Sequence, residues 1–385
     1  MQFAALGVLG WELTGSSSFL GYLIFAQLAP LGFLSLLGGS LADTANRKTL
    51  LLATQTWQMT WTFVLAALLI DGQISEVTLL LFVFVIGLGQ GLYAPAFTSV
   101  LPVVAGERNL WAAVAMNSVQ TNGARVIGPA IGGFLTSQFG FAEVFALNGL
   151  SYLVVIIVLA RLDIPNPTPA TRSFSDRIFG GFRIARQAPQ IGRPLALMAI
   201  FALLCLPFIG QLPAIAELNL QVNPRSSTYG WFYATFGLGA LIGAVAVGTV
   251  FLRFPRPRLI RLSLLGFAAS LMWLRSISSI TVAYAAIFLV ALCYFTVPTA
   301  LATHWQEHAD SSIRGRIAAL WVLSFGGVVP IGNIVGGQIA ERASLSTLLL
   351  IGVVVALVLG IVVRIPEGVV VDESILNKDA ADSIS

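Results

Sequence analysis

Gly128-Pro129-Ala130-Ile131-Gly132-Gly133 in the first half of the chain is echoed by Gly332-Asn333-Ile334-Val335-Gly336-Gly337 in the second, 204 residues later. Outward from this pair, other matches keep nearly the same spacing. Ser17, Gly21, Gly39 and Arg47 stand 209 residues before Ser226, Gly230, Gly248 and Arg256, and Ala94-Pro95-Ala96 stands 203 before Val297-Pro298-Thr299. Small residues are common in membrane helices because they let backbones approach, so a single match carries little. The series at near-constant offset predicts two tandem copies of one helical unit, an arrangement found in secondary transporters.

The composition agrees with a chain that lives in a bilayer. Of 385 residues, 57% are hydrophobic and 10% charged, and the mean hydropathy is +0.88, whereas soluble domains carry about 25% charged residues. So few charges cannot coat a soluble surface for this apolar mass, which excludes a soluble enzyme, a disordered scaffold and a disulfide-stapled secreted domain. The net charge of +4 does not imply a nucleic-acid partner, because the basic residues segregate by membrane side and form no stripe. Cys205 and Cys293 both lie in apolar runs and read as small hydrophobes.

A spanning helix needs about 20 mostly apolar residues. Eleven such runs are predicted, at 18–41, 49–70, 77–100, 112–136 and 141–160, then at 194–218, 227–250, 259–274, 280–303, 317–339 and 345–363. Before them lies a short apolar stretch, from Met1 to Trp11, that gives way to Glu12. Counted through Thr14 it reaches about 21 Å as helix, short of a hydrocarbon core of about 30 Å, and no basic segment precedes it as in a signal peptide. The expectation is a truncated first helix, with about 10 to 30 residues upstream.

The predicted organisation is a first bundle at 1–160 holding helices 1–6, a linker at 161–193, a second bundle at 194–364 holding helices 7–12, and a disordered tail at 365–385. In the linker Phe174, Ile178 and Phe182 recur at four-residue spacing, with Arg177, Arg183 and Arg186 on other faces. This pattern predicts an amphipathic helix lying on the membrane. Of the 21 Lys and Arg residues, 17 fall on the linker side of the alternating spans, Arg225, Arg275 and Arg342 fall on the other, and Arg125 lies within a span. By the positive-inside rule the linker and C-terminus are cytoplasmic, so the expected location is the cytoplasmic (inner) membrane.

The stretch after the first long span reads Gly39-Ser40-Leu41-Ala42-Asp43-Thr44-Ala45-Asn46-Arg47-Lys48. A Gly there lets helices approach closely, and an Asp at a helix end can accept hydrogen bonds from a facing helix N-terminus and neighbouring Arg. The stretch resembles the signature G-x-L-A-D-[RK]-x-G-R-[RK] of the major facilitator superfamily, departing from it at Thr44 and Asn46. The resemblance implies a conformational-switch role for Gly39, Asp43 and Arg47; a solvated turn that only sets topology is the alternative. The second copy has Leu252 where the first has Asp43.

Gly128, Pro129, Gly132 and Gly133 resemble the G-P-x-x-G-G motif of the exporter branches of that superfamily and are expected to serve the same switch. Asn117-Ser118, Asn122-Gly123-Ala124-Arg125 and Arg314-Gly315-Arg316-Ile317 resemble the branch that includes bacterial enterobactin exporters and macrolide efflux proteins. The resemblance covers the chain to about Val363. It implies an all-α membrane protein of the major facilitator fold, two six-helix bundles, exporting a drug or siderophore by alternating access. Gly87 stands where many proton-coupled exporters carry an Arg.

Arg125 is the single charge near the middle of any span, where a cation costs at least about 2.5 kcal/mol unless paired or hydrated. Two readings stand: it pins carbonyls between helices, or it contacts an anionic or polar substrate. Further candidates for a central cavity are Gln27, Gln90, Tyr93, Asn117, Gln120, Asn122, Phe208, Gln211, Tyr284, Tyr294 and Asn333. Aromatic, weakly charged walls suit amphipathic cargo.

His304-Trp305-Gln306-Glu307-His308 matches H-x-x-E-H, the inverted zinc-peptidase pattern, and makes a membrane metalloprotease the competing class. It is placed in a short cytoplasmic loop. The glycines at 87, 89, 91, 237 and 239 hint at nucleotide loops but lie mid-span, where close helix packing explains them. No G-x-x-x-x-G-K-[ST] stretch is present, so transport would run on an ion or substrate gradient. No cofactor or metal is expected; the expected partners are a small-molecule substrate and lipid, with protons an open coupling ion, and the expected state is a monomer. An importer of the same fold is the other alternative.

Overall fold

The computed structural model describes residues 1–44, 46–72, 74–164, 174–366 and 370–371, with some helical side chains, including 35–44 and 174–179, outside the description. The first half comprises α1 (Gln2–Thr14), α2 (Ser17–Thr44), α3 (Arg47–Ile70), α4 (Glu76–Gln138) and α5 (Phe141–Arg161). α6 (Phe174–Gln187) is the linker helix. The second half comprises α7 (Pro189–Leu204), the short α8 (Leu212–Ala214), α9 (Ser227–Gly248), α10 (Arg256–Ser276), α11 (Ile280–His308), α12 (Ser311–Val322), α13 (Val328–Arg342) and α14 (Leu345–Val362). Among the described residues nine segments are long and apolar enough to cross a membrane.

The helix starts are legible locally. Asn46, Ser75, Ser226 and Ser344 each accept a hydrogen bond from the backbone N–H three residues on, at 3.0–3.3 Å, satisfying one of the donors a helix N-terminus leaves open. Gly15 closes α1 in the left-handed region at φ 60.

Four boundaries differ from the sequence reading. The runs at 77–100 and 112–136 are one element, α4, that turns at Gly106 (φ 68, ψ 161), a conformation closed to most side chains. The run at 194–218 is broken: Pro207 opens a 3₁₀ turn, α8 follows, and a π turn at Ile215–Asn219 ends it. The run at 317–339 is split by a π turn at Leu323–Gly327, where paired glycines weaken the α-helical ladder. The stretch 39–48 is mostly helix, since α2 runs to Thr44 and α3 starts at Arg47.

Packing reproduces the repeat. In the first half α2 packs on α4 and α3 on α5; in the second, α9 packs on α11 and α10 on α14. The mid-span glycines serve this packing. A Cβ on Gly87 would stand 2.8 Å from the Gln27 carbonyl oxygen, and one on Gly91 would stand 2.6 Å from that of Pro30. Gly239 and Gly243 face the Phe288 and Leu292 carbonyls in the same manner.

On the linker side, α6 docks on protein through a face other than the one expected to lie on the membrane. Phe182 is 50% exposed while Ile184 is buried, because Gly180 and Gly181 bring the helix backbone against Arg316 of α12. The side chains of Phe174 and Ile178 lie outside the described residues. Ile184, Ala188, Ile191, Trp305, Ile313 and Ile317 form one apolar cluster there. Val371, within the stretch read as disordered tail, joins it, its N–H donating to the His308 carbonyl (2.8 Å) and its carbonyl accepting from the Asp310 N–H (3.0 Å).

Candidate functional site

Between the halves lies a cavity of about 630 Å³. Ile24, Leu28 and Leu31 of α2 and Gln120, Thr121 and Ala124 of α4 line one wall. Tyr233, Phe236, Tyr294 and Phe295 of α9 and α11, with Phe325, Val329 and Asn333 toward α13, line the other. Tyr294 and Phe295 meet edge to face at 4.5 Å, and Phe236 lies 6.0 Å from Tyr294, so the aromatic wall is held ring against ring. No charged side chain lines the cavity among the described residues.

The halves are sealed on the side away from the linker. A Cβ on Gly133 would stand 2.5 Å from Gly230 Cα, and one on Gly337 would stand 2.6 Å from the Ser17 carbonyl oxygen and 3.3 Å from Gly21 Cα. Thus α4 crosses α9, and α13 crosses α2, with backbones in direct contact at glycines. The other glycines of each motif pack within their own half: Gly128 and Gly132 against Met1, Gly332 against the Ala202 and Leu203 carbonyls, Gly336 against Pro207.

Polar contacts finish the seal. Glu341 Oε2 of α13 accepts from the backbone N–H of Ser17 (2.7 Å) and Ser18 (3.3 Å) and from Ser16 Oγ (3.1 Å), placing a carboxylate on the N-terminus of α2. Trp11 Nε1 donates to Glu217 Oε2 at 2.7 Å. Arg225 pairs with Glu12 at 3.7 Å and stands 4.9 Å over the Phe141 ring. Gln211, fully buried, donates through Nε2 to the Ser17 carbonyl at 3.0 Å.

The candidates named from sequence divide accordingly. Gln120, Tyr294 and Asn333 line the cavity. Phe208 is buried behind its wall, in ring contact with Phe236 and Tyr294. Gln211 belongs to the seal, and Tyr284 donates to the Thr228 carbonyl near the start of α9 (3.1 Å). Gln27 borders a minor crevice beside α1, Gln90 is exposed, Asn117 is half-buried off the cavity lining, and Tyr93 stacks on Phe97 at 5.5 Å in a cluster around Leu51. The side chains of Gly39's neighbour Ser40, of Asp43, Asn122, Arg125 and Pro129 lie outside the described residues, and so does the environment of Gly39. Arg125 follows Ala124, a lining residue. Beside Arg47, Lys48 donates from Nζ to the Ala160 and Leu162 carbonyls, both at 2.8 Å, tying α3 to the end of α5.

Sequence reasoning does not reveal the contacts of Glu341, Glu217 and Arg225, because a charge at a helix end reads as ordinary capping or topology, nor that of Trp11, which reads as part of an apolar run. The metalloprotease constellation does not assemble. His304 is buried inside α11 rather than in a loop, and its ring lies 4.2 Å from that of His308. His308 Nδ1 is 2.7 Å from the His304 carbonyl, and Glu307 is paired with Arg256 at 3.2 Å. No third metal-ligating side chain joins them among the described residues.

Residues 8–382 match the family of transmembrane secretion effectors within the major facilitator superfamily. The chain is 29% identical over 371 residues to the enterobactin exporter EntS of Escherichia coli O1:K1 / APEC, spanning 91% of this chain and 83% of that one. It has the same identity over 372 residues to EntS of Shigella boydii serotype 18, with the same coverage. Among solved structures it is similar to the nucleoside transporter NupG (TM-score 0.76, 13% identity, 93% of each chain). It is also similar to a D-xylose-proton symporter (TM-score 0.72, 15% identity, 96% of this chain and 98% of that one). These likenesses are to transporters, not enzymes: the chain is a multi-pass membrane protein and belongs to the transmembrane secretion effector family of major facilitator transporters.

Proposed function

We propose that this transporter exports an amphipathic, weakly charged small molecule, of the siderophore or drug class, across the cytoplasmic membrane by alternating access. The observation that carries the reading is the cavity of about 630 Å³ lying on the linker side of a glycine-packed seal. With the linker and C-terminus cytoplasmic, the orientation that the distribution of Lys and Arg supports, cargo enters from the cytoplasm. Parting of α4 from α9 and of α13 from α2 releases it outside. The 29% identity to an enterobactin exporter supports export over import. It works as a monomer, with its two halves rocking about the glycine crossings.

The coupling route does not run through an arginine in the position of Gly87. The Gln27 carbonyl 2.8 Å from a Cβ there leaves no room for a side chain. Glu12, Glu217 and Glu341, carboxylates of the outer seal, stand where the halves separate and are candidate carriers of a coupling proton.

Inside-out membrane vesicles carrying the protein, given a panel of dyes and metal-free siderophores, test this directly. Export predicts uptake into inside-out vesicles that exceeds uptake into right-side-out ones and that vanishes without the protein. Accumulation favouring right-side-out vesicles would overturn the direction, and none in either would overturn the substrate class.

A further inference from the structure

We infer that Arg253, Arg258 and Arg261 bind the phosphate headgroup of an anionic phospholipid in the linker-side leaflet, with its acyl chains lying along Leu262. Arg253 stands in the turn after α9, and Arg258 and Arg261 in the first two turns of α10. All three are exposed, and none has an acidic partner among the described residues. On α10 the pattern has a direction. Leu259 and Ile260 are buried against protein, and at about 100° per residue Arg258, Arg261 and Leu262 fall on the opposite side of the helix. Leu262 is 56% exposed and lies one turn deeper in the span than Arg258, about 6 Å along the axis. A leucine exposed at that depth meets acyl chains, and an arginine above it reaches the headgroups, where its planar fork offers parallel donors to a phosphate.

The turn that carries Arg253 is held by protein. Arg256 donates from Nη1 to the Val247 (3.4 Å) and Phe251 (3.0 Å) carbonyls and pairs with Glu307 at 3.2 Å, so it closes the end of α9 and takes up the neighbouring carboxylate. Phe254 rests on Phe251, with ring centroids 6.1 Å apart, and is partly exposed beside the exposed Leu252. Cations and apolar side chains thus alternate on one surface, which fits a lipid better than a free anion. The first copy of the repeat lacks this surface. At the 209-residue offset Arg253, Arg258 and Arg261 correspond to Thr44, Thr49 and Leu52, and Lys48 there is engaged with the carbonyls at the end of α5. Membrane orientation needs basic residues on this side but not three of them unpaired at one corner of one copy.

The inference stands apart from the direction and identity of the cargo. Its test is native mass spectrometry of the full-length protein in detergent, titrated with dioctanoyl phosphatidylglycerol or dioctanoyl phosphatidylcholine. The wild type is expected to retain the phosphatidylglycerol more tightly by at least about tenfold, since each cation at an anionic lipid surface contributes about fivefold. The triple variant Arg253→Gln, Arg258→Gln, Arg261→Gln is expected to lose this preference. A control triple, Arg108→Gln, Arg183→Gln, Arg186→Gln, takes the same charge from exposed positions on the same side and is expected to keep it. Glycerol phosphate, which has the anion without acyl chains, is expected to leave the lipid bound at equal concentration. Equal binding of the two lipids by the wild type, a preference that survives the first triple, or equal losses in both triples overturns the site. Displacement of the lipid by glycerol phosphate overturns its assignment to a lipid.

Discussion

Replacing Gly133 by Ala puts one methyl group into the crossing of α4 and α9, and its effect can be worked from the contact. The new Cβ would stand 2.5 Å from Gly230 Cα, while carbon atoms pack at about 3.5–4.0 Å, so the two backbones must part by about 1 Å. Neither side has a flexible end to yield, because both partners are backbone. Overpacking of this kind costs about 1–3 kcal/mol. The strain exists only while the seal is closed, so it shifts the population toward the opened seal by about 5- to 150-fold. The assay is labelling of Ile209→Cys, in a background with Cys205→Ala and Cys293→Ala, by a membrane-impermeant maleimide added outside. Ile209 lines the cavity beneath the seal. Gly133→Ala is expected to raise the labelling rate by at least about fivefold. Gly123→Ala, where a Cβ would meet nothing within 4 Å, leaves it unchanged. An unchanged rate in Gly133→Ala with the protein normally inserted would refute the assignment of this crossing as the outer seal.

Glu341→Gln removes the charge from the N-terminus of α2, and because Glu341 is exposed its contribution is about 0.3–1 kcal/mol; the same labelling should quicken by no more than about fivefold, with the difference from wild type shrinking at high salt. Lys48→Met strips two carbonyls at the end of α5 of their shared donor and should lower the melting temperature by about 2 °C in detergent, without altering labelling. Arg125→Lys is expected to fail in transport at normal expression, since a planar fork holds several acceptors at fixed geometry and an ammonium does not; full activity would reduce Arg125 to a plain positive charge. Asp43→Asn should impair transport and leave insertion intact, with normal efflux removing the switch role.

The repeat was legible from Gly128–Gly133 and Gly332–Gly337 because glycine in a membrane helix has few reasons to recur at fixed spacing other than close packing. Span positions followed from hydropathy, which responds to the bilayer's thickness alone. Hydropathy does not register interruptions that the bilayer tolerates, so the turn at Gly106 and the π turns at 215–219 and 323–327 were invisible to it. The cavity was half legible. Tyr294 and Asn333 could be chosen as aromatic or polar residues in a span, but the same rule chose Tyr93, which stacks on Phe97, and Gln90, which is exposed. Periodicity places a residue on a helix; which face meets the other half is decided by crossings that depend on residues 200 positions away. The seal's polar contacts were the least legible, for Glu341 reaches Ser17 only once two halves are docked.

The two glycine crossings have the form of an isologous interface. Gly21 and Gly230 are copies of one position, Gly133 and Gly337 are copies of another, and Gly21 meets Gly337 as Gly230 meets Gly133. In a twofold dimer, residue i of one subunit touches j of the other and j touches i, so the intramolecular seam has the contact pattern of a homodimer of half-length chains. The two copies differ at the clasp. By the same offsets Glu341 corresponds to Ser137, and Ser16 to Arg225. One corner of the seam therefore closes with a carboxylate on a helix N-terminus and the opposite corner with Arg225 between Glu12 and Phe141. Two corners of one pseudo-symmetric seam are thus held by unlike chemistry, a hydrogen-bonded carboxylate at one and a cation between an anion and a ring at the other.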